Sequence, residues 1–283
     1  MTNKKHTKKG LFAKMLPVIA AVILVALFLA NCGDNSDSKT PTNTTQRPVI
    51  TVGSADYPPF IDMDNNGSPT GIDMDIMREA ADRIGYDIEF VSINWEDRNE
   101  LLASGEIDCV GGGFTVNGRE DEYLWVGPYM DADMVIVVNT DSLIFSLGEL
   151  EGKTVAAQSA GIGEDILLEH LNPSIPTDVQ VFSFERSSLM LAALGANYVD
   201  AVIVDVPVAI QYMKDYNTTF TILEEPALHA SVGTAFAKDG DAELVAQLNA
   251  AIDEMRADGT LDAITDSYLS LETETAGGEA DEN

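Results

Sequence analysis

An α/β fold in two similar halves is predicted for the stretch from about residue 48 to 270, on three observations. Short apolar runs alternate with helically spaced segments, an order that builds a largely parallel sheet covered by helices. Gly105-Glu106-Ile107-Asp108-Cys109-Val110 is echoed by Asn197-Tyr198-Val199-Asp200-Ala201-Val202, each time after an Ala/Leu-rich helix. Roughly 220 residues are enough for two modest lobes or one large domain.

The first strand is Val49-Ile50-Thr51-Val52-Gly53, and Tyr57-Pro58-Pro59-Phe60 follows as a rigid turn that cannot continue a ladder. Asn65-Asn66-Gly67 marks a hairpin tip. Ile72, Ile76, Met77, Ala80, Ala81 and Ile84 keep helical spacing up to Gly85, which supplies the stop. Ile88 to Val91 is the next strand, and a helix from about Glu96 to Ser104 leads into Ile107 to Gly111. The second half opens with Thr154 to Ala157 as a strand. A helix near Glu164 to Leu171, a strand Val179 to Phe182 and a helix Ser187 to Ala196 lead to the echoed strand. Ser231 to Phe236 is strand-like. A helix begins near Asp241 with Leu244, Leu248, Ile252 and Met255 on one face and ends at Asp258-Gly259, and a last helix spans about Thr260 to Leu269.

The N-terminus sets the compartment. Lys4, Lys5, Lys8, Lys9 and Lys14 precede an apolar run from Leu16 to Ala30, shorter than the roughly 20 residues of a membrane-spanning helix. Residues 1–31 read as a secretion signal, with an uncleaved anchor as the alternative. Residues 32–47, rich in Asp, Asn, Ser, Thr and Pro, read as a solvated tether, and 271–283 as a disordered acidic tail. Loss of the five lysines takes the net charge from −31 to −36, so nucleic acid is not an expected partner. With Cys32 at the signal junction, Cys109 is the other cysteine, and its apolar setting makes it a small core residue. No zinc spacing, phosphate loop or Gly-x-Ser-x-Gly elbow occurs, and no metal or cofactor is expected.

The chemistry concentrates in Gly111-Gly112-Gly113-Phe114-Thr115-Val116-Asn117-Gly118-Arg119. Glycines let a ligand approach backbone amides, Thr115 adds a hydroxyl, and the Arg119 guanidinium is a planar fork matched to a carboxylate. A plain glycine-rich turn with a surface arginine is the alternative. Asp205 ends the apolar run Ala201-Val202-Ile203-Val204, where it is placed either to meet an ammonium group or to cap the helix beginning at Val206-Pro207. Tyr57 and Trp95 lie at strand ends as ligand-shielding aromatics, or as core. Gln158-Ser159-Ala160-Gly161-Ile162-Gly163 precedes a helix whose free amides face either an anion or water.

Together these segments resemble a family 3 extracellular solute-binding protein, the amino-acid-binding lipoprotein of an ABC importer. The resemblance spans about residues 48 to 270 and rests on Ala55-Asp56-Tyr57-Pro58-Pro59-Phe60, Gly71-Ile72-Asp73-Met74-Asp75, Gly105 to Asp108, Thr115 to Arg119 with Gly127-Pro128-Tyr129, Val204-Asp205-Val206-Pro207, and Ala257 to Leu261. It implies a two-lobed periplasmic-binding-protein-like fold of type II with two crossover strands, lobe 1 being 48–138 plus 231–270 and lobe 2 being 139–230. A polar amino acid is expected between the lobes. Arg119 matches the grip on its α-carboxylate, helped by Gly113 and Thr115 with Phe114 between them, and Asp205 matches the acceptor of its α-ammonium. Tyr57 and Trp95 match aromatic walls, and Ala160 to Ile162, with Gly161 and Ile162 as the ligand-binding pair, match the backbone cap of the second lobe. Leu29-Ala30-Asn31-Cys32 resembles a lipidation signal at Cys32, although Asn31 stands where a small residue is usual.

Three other departures bear on the site. The Thr115–Arg119 spacing is one residue shorter than the commonest form, Gly161 and Ile162 stand where threonines are usual, and Ser54 replaces an acid found in binders of basic ligands. The resemblance implies a monomer, lipid-anchored outside the cytoplasm, that delivers its amino acid to a permease and catalyses nothing. Two other readings stay open: an amino-acid-sensing ectodomain, and a secreted prephenate or cyclohexadienyl dehydratase, for which Glu185 and His229 would be the candidate acid or base.

Overall fold

The structure, a computed structural model, describes residues 47–64 and 66–269. The expected signal, Cys32 and its lipidation, the tether as far as residue 46, Asn65 and the acidic tail lie outside the described residues.

Two five-stranded sheets organise the chain. In the first, β1 (Val49–Ser54) lies between β4 (Asp87–Ser92) and β5 (Cys109–Val110), parallel to both, and β12 (Ser231–Ala237) and β6 (Tyr123–Asp131) extend it antiparallel in the order β4-β1-β5-β12-β6. A two-stranded hairpin, β2 (Asp62–Met63) with β3 (Pro69–Thr70), sits after β1 at the expected tip. The second sheet has the order β11-β7-β10-β8-β9, from β11 (Phe220–Ile222), β7 (Met134–Asn139), β10 (Ala201–Asp205), β8 (Thr154–Gln158) and β9 (Gln180–Phe184). Here too three strands are parallel, β9-β8-β10, and two follow antiparallel. The sequence echo is thus a positional one: β5 and β10 occupy the same place in their respective sheets. The sheets are more mixed than the strand–helix alternation suggested. The strands that carry the chain between sheets enter without a helical crossover and so run against their neighbours.

Strands β7 and β10 are buried on both faces, which explains their unbroken apolar runs Met134 to Val138 and Ala201 to Val204. Helix α1 (Ile72–Ile84) buries Ile72, Met74, Ile76, Met77, Ala80 and Ala81 and stops at Gly85, whose φ of 84° is left-handed. The expected Glu96–Ser104 helix is a 3₁₀ turn at Trp95–Asp97 running into α2 (Arg98–Ser104). In the second half α3 (Ile162–Leu168), α4 (Ser187–Gly195) and α5 (Val206–Asp215) follow β8, β9 and β10. Helix α6 (Ala242–Asp258) is capped by Asp241, whose side chain accepts from the amides of Glu243 and Leu244, each at 3.0 Å. Its buried face is Val245, Leu248, Ala251, Ile252 and Met255, with Leu244 only half-buried, and α7 (Thr260–Leu269) follows. Cys109 is buried, as its apolar setting implied.

The sequence reading missed β6 and β7 as strands. Gly127-Pro128 interrupts the apolar alternation of β6, and Pro128 lacks the amide that a ladder uses. This bears on the lobe boundary: the chain changes sheet between Asp131 and Met134, not after residue 138, because β7 pairs with β10 from Met134↔Asp205 to Val138↔Ala201. The return passage, Leu228 to Ser231, lies beside the first. Ala132 donates to the Ala230 carbonyl at 2.8 Å and Met134 to that of Leu228 at 2.9 Å. Two adjacent extended segments therefore join the lobes, the geometry of a hinge.

Leu248 is fully buried in the core of the first lobe. Leu248→Ala is expected to reduce unfolding free energy by about 2–5 kcal/mol in urea titration, the cost of a cavity that helix packing cannot collapse.

Candidate functional site

The cleft between the lobes is built first by a glycine loop that α1 holds in place. Beyond β5 the chain turns through Gly112 and Gly113, at φ 98° and 72°. The Oδ2 of Asp73, in the first turn of α1, accepts from both their amides at 2.7 and 2.9 Å. A side chain at Gly113 would meet the Phe60 ring at 2.7 Å, so only glycine fits where the loop crosses the core. Phe114 and Thr115 follow, both buried. Thr115 is bridged to Val232, and the Val116 amide donates to Ser231, tying the loop to the start of β12.

From this anchored loop Arg119 reaches into the cleft despite the short spacing from Thr115. Its guanidinium lies 5.4 Å from the Phe114 ring, its carbonyl accepts from the Trp125 indole at 3.1 Å, and its side chain is 9% exposed. Its charge is met by Asp165 of α3, across the cleft, at 2.7 Å. Trp95 stands edge-on to Phe114 at 5.0 Å, and Tyr57 stacks on Phe60 at 5.9 Å.

Asp205 closes β10 from the other lobe. It occupies the N-cap position of α5 with Pro207 behind it, yet its side chain makes no capping bond. Instead Oδ2 accepts from the Tyr57 hydroxyl at 2.5 Å, while Oδ1 is buried with no hydrogen-bond partner. The carboxylate therefore belongs to the cleft and not to the helix end. Burial lifts the Asp205 carboxyl to about 7, the Tyr57 hydrogen bond opposing and the charge of Asp73 adding to the effect. Burial likewise lifts Asp73 to about 6 against its bonds from the glycine amides.

All nine residues singled out as ligand-binding line one cavity: Tyr57, Trp95, Gly113, Phe114, Thr115 and Arg119 from one lobe, Gly161, Ile162 and Asp205 from the other. The second-lobe amides differ from expectation. The Ala160 amide donates to Glu164 at 2.8 Å and that of Gly161 to the Gln158 carbonyl at 3.1 Å, so neither is left for a ligand. Ile162 and Gly163 open the helix and carry the amides that lie ahead of its first bonded turn. Glu185 and His229 do not line the cavity. Glu185 is exposed beyond β9, and His229 pairs with Asp133 at 3.0 Å across the two crossovers.

Sequence reasoning placed Gln158 only as the start of an amide-bearing turn and read Ile203 as a strand residue, and it singled out neither Met134, which also lines the cavity, nor Asp165, which pairs with Arg119. It missed the role of Asp73 as well, although Asp73 lies in the motif Gly71 to Asp75. The lobes are drawn together by Arg119–Asp165, Tyr57–Asp205 and Ser159 donating to Glu96 at 2.5 Å. The space between them is about 40 Å³, room for roughly three waters at ~10–15 Å³ each, so a larger molecule enters when the lobes part.

Both buried carboxyls have folded values above the unfolded one, so their neutral forms favour the fold. That contribution is present at low pH and lost as pH rises through about 6 for Asp73 and about 7 for Asp205. From about pH 4 to 7 the ligand-free protein is expected to lose stability, on the order of 1–3 kcal/mol per pH unit and most steeply below about pH 6, and to level off above about pH 7. Asp205→Asn should flatten this slope in thermal melts.

The family model described as bacterial extracellular solute-binding proteins, family 3, matches residues 50–271. The probable amino-acid-binding protein YxeM of Bacillus subtilis (strain 168) is 30% identical over 258 residues, 89% of this chain and 93% of its own. The arginine-binding extracellular protein ArtP of the same organism is 28% identical over 259 residues, 91% and 98% of the two chains. Among solved structures, an ancestral arginine-binding protein bound to arginine matches with a TM-score of 0.71 at 32% identity, covering 79% of this chain and 99% of that one. The ancestral amino-acid-binding protein AncCDT-1, a precursor of cyclohexadienyl dehydratase, matches at 0.70 and 29%, over 78% and 96%. With two sheets joined by paired crossovers and a polar cleft between them, the chain belongs to family 3 of the bacterial extracellular solute-binding proteins.

Proposed function

We propose that the protein captures a free α-amino acid between its lobes and, tethered outside the cytoplasm by a lipid on Cys32, delivers it to an ABC importer. One observation carries the ligand class: opposite charges face one cavity from opposite lobes, Arg119 from the first and Asp205, with a buried unpartnered oxygen, from the second. A zwitterion satisfies both at once and bridges the lobes, so its binding favours the closed arrangement. Its carboxylate would take the free edge of the Arg119 guanidinium together with the Thr115 hydroxyl. Its ammonium would donate to Asp205, beside the bond from Tyr57. The amides of Ile162 and Gly163 would meet the carboxylate from the closing lobe, while Tyr57 and Trp95 exclude water.

Binding and release without chemistry is the reading favoured over a dehydratase, since neither Glu185 nor His229 lines the cavity to act as the required acid or base. The importer supplies the reason for a hinge that opens and shuts: capture needs the open form and handover needs the closed one.

Arg119→Ala is expected to weaken amino-acid binding by at least about a hundredfold with an unchanged circular dichroism spectrum, because the ligand carboxylate loses its partner in a desolvated site. Calorimetric titration measures this, and retained affinity removes the clamp. Only ionised Asp205 pairs its charge with the ammonium, so affinity should fall as pH drops below about 7, approaching tenfold per unit. A flat profile between about pH 5 and 8 would refute that role for Asp205.

A further inference from the structure

Capture of the two α-groups uses both charges that line the cavity. The other lining residues are neutral, and the polar side chain among them from the second lobe is Gln158, half-buried at the end of β8. Its amide nitrogen is 3.5 Å from the Glu185 carbonyl, at the outer limit of a hydrogen bond, which leaves the amide free to turn toward a ligand. Ser54, by contrast, has its hydroxyl engaged with the Gly111 carbonyl at 2.8 Å.

The charges just outside the lining are committed elsewhere. Asp165 is bonded to Arg119, Glu96 accepts from Ser159, and Asp73, outside the cavity lining, accepts through Oδ2 from the two glycine amides with its Oδ1 buried and unpartnered. Asp56 and Arg186 line a separate groove with Tyr212. Two of the aromatic walls already face cations: Arg98 lies 5.0 Å over Trp95 and 5.6 Å from Phe114, with Arg119 5.4 Å from Phe114. A ligand side chain carrying either sign of charge would therefore enter the closed cleft with no counter-charge and lose its hydration.

We infer that the solute is an α-amino acid with an uncharged side chain, and that Gln158 is the residue that sets this preference. The inference rests on the zwitterion reading above. Gln158 offers a donor and an acceptor, so it suits a neutral polar group and pairs with neither a full positive nor a full negative charge.

The test is calorimetric titration of the full-length chain, freed of co-purified ligand by unfolding and refolding, with glutamine, asparagine, serine, alanine, arginine, lysine, glutamate and aspartate. At least one neutral amino acid should bind at least about thirtyfold more tightly than any charged one. Gln158→Glu, which keeps the shape and adds one carboxylate at the cleft, should narrow the gap to arginine or lysine by at least about tenfold without improving glutamate. Equal or tighter binding of a charged amino acid to the unmodified protein overturns the inference while leaving zwitterion capture intact. An unchanged selectivity in Gln158→Glu overturns the role of Gln158. Failure of all eight to bind removes the zwitterion reading and this inference with it.

Discussion

The cleft depends on a carboxylate kept out of water with only half of its hydrogen-bonding capacity met. Asp205 holds the Tyr57 hydroxyl at 2.5 Å from the opposite lobe and leaves its other oxygen buried without a partner. A buried, under-satisfied acid costs free energy, which is why burial raises the proton affinity of Asp205 to about 7. The fold tolerates this cost at the end of β10, every residue of which is buried, because β7 and α5 hold the backbone there regardless of the side chain. Under the proposed function, a cationic group arriving there would offset that cost.

The opposite wall follows a complementary logic. Arg119 is buried but not orphaned, since Asp165 reaches across to it. That contact holds the arginine extended in the cleft and joins the lobes, as Ser159–Glu96 does at the rim. Closure is thus supported by polar contacts of the protein itself, and the paired crossovers at 131–134 and 228–231 provide the joint about which these contacts form or part. Under the proposed function, an incoming carboxylate would act on a balance already set between the lobes.

Asp73 links packing to function. Its helix buries an apolar face against the first sheet, and its side chain fixes two glycine amides behind the cleft. The loop from Gly112 to Thr115 therefore presents its groups in one conformation, so a ligand meets an ordered surface and loses less to reorganisation. Positive φ at Gly112 and Gly113, and the Phe60 ring against Gly113, make that conformation available to glycine alone.

Much of this was legible in the chain. Helical spacing ending at Gly85 and Gly259, the apolar run before Asp205, and the echo between residues 105–110 and 197–202 each have a local cause, and each appears in the fold. The nine residues Tyr57 to Asp205 converge on one cavity because glycine, arginine, aromatic and acidic residues at strand ends carry local signals. What the sequence left open depended on partners far along the chain. Whether the Asp205 carboxylate capped a helix or turned into the cleft was decided by Tyr57, 148 residues away. The passage between lobes fell at 131–134 because β7 found its register on β10. The pairing of Arg119 with Asp165 joins two lobes, so no local pattern predicts it. By itself the sequence determined most of the elements outside β6 and β7, the echo and the chemical types at the strand ends, since these follow from spacing and backbone preference. Tertiary structure alone decided which of those groups are buried, which are paired and which face each other across the cleft, because burial and distance are properties of the packed chain.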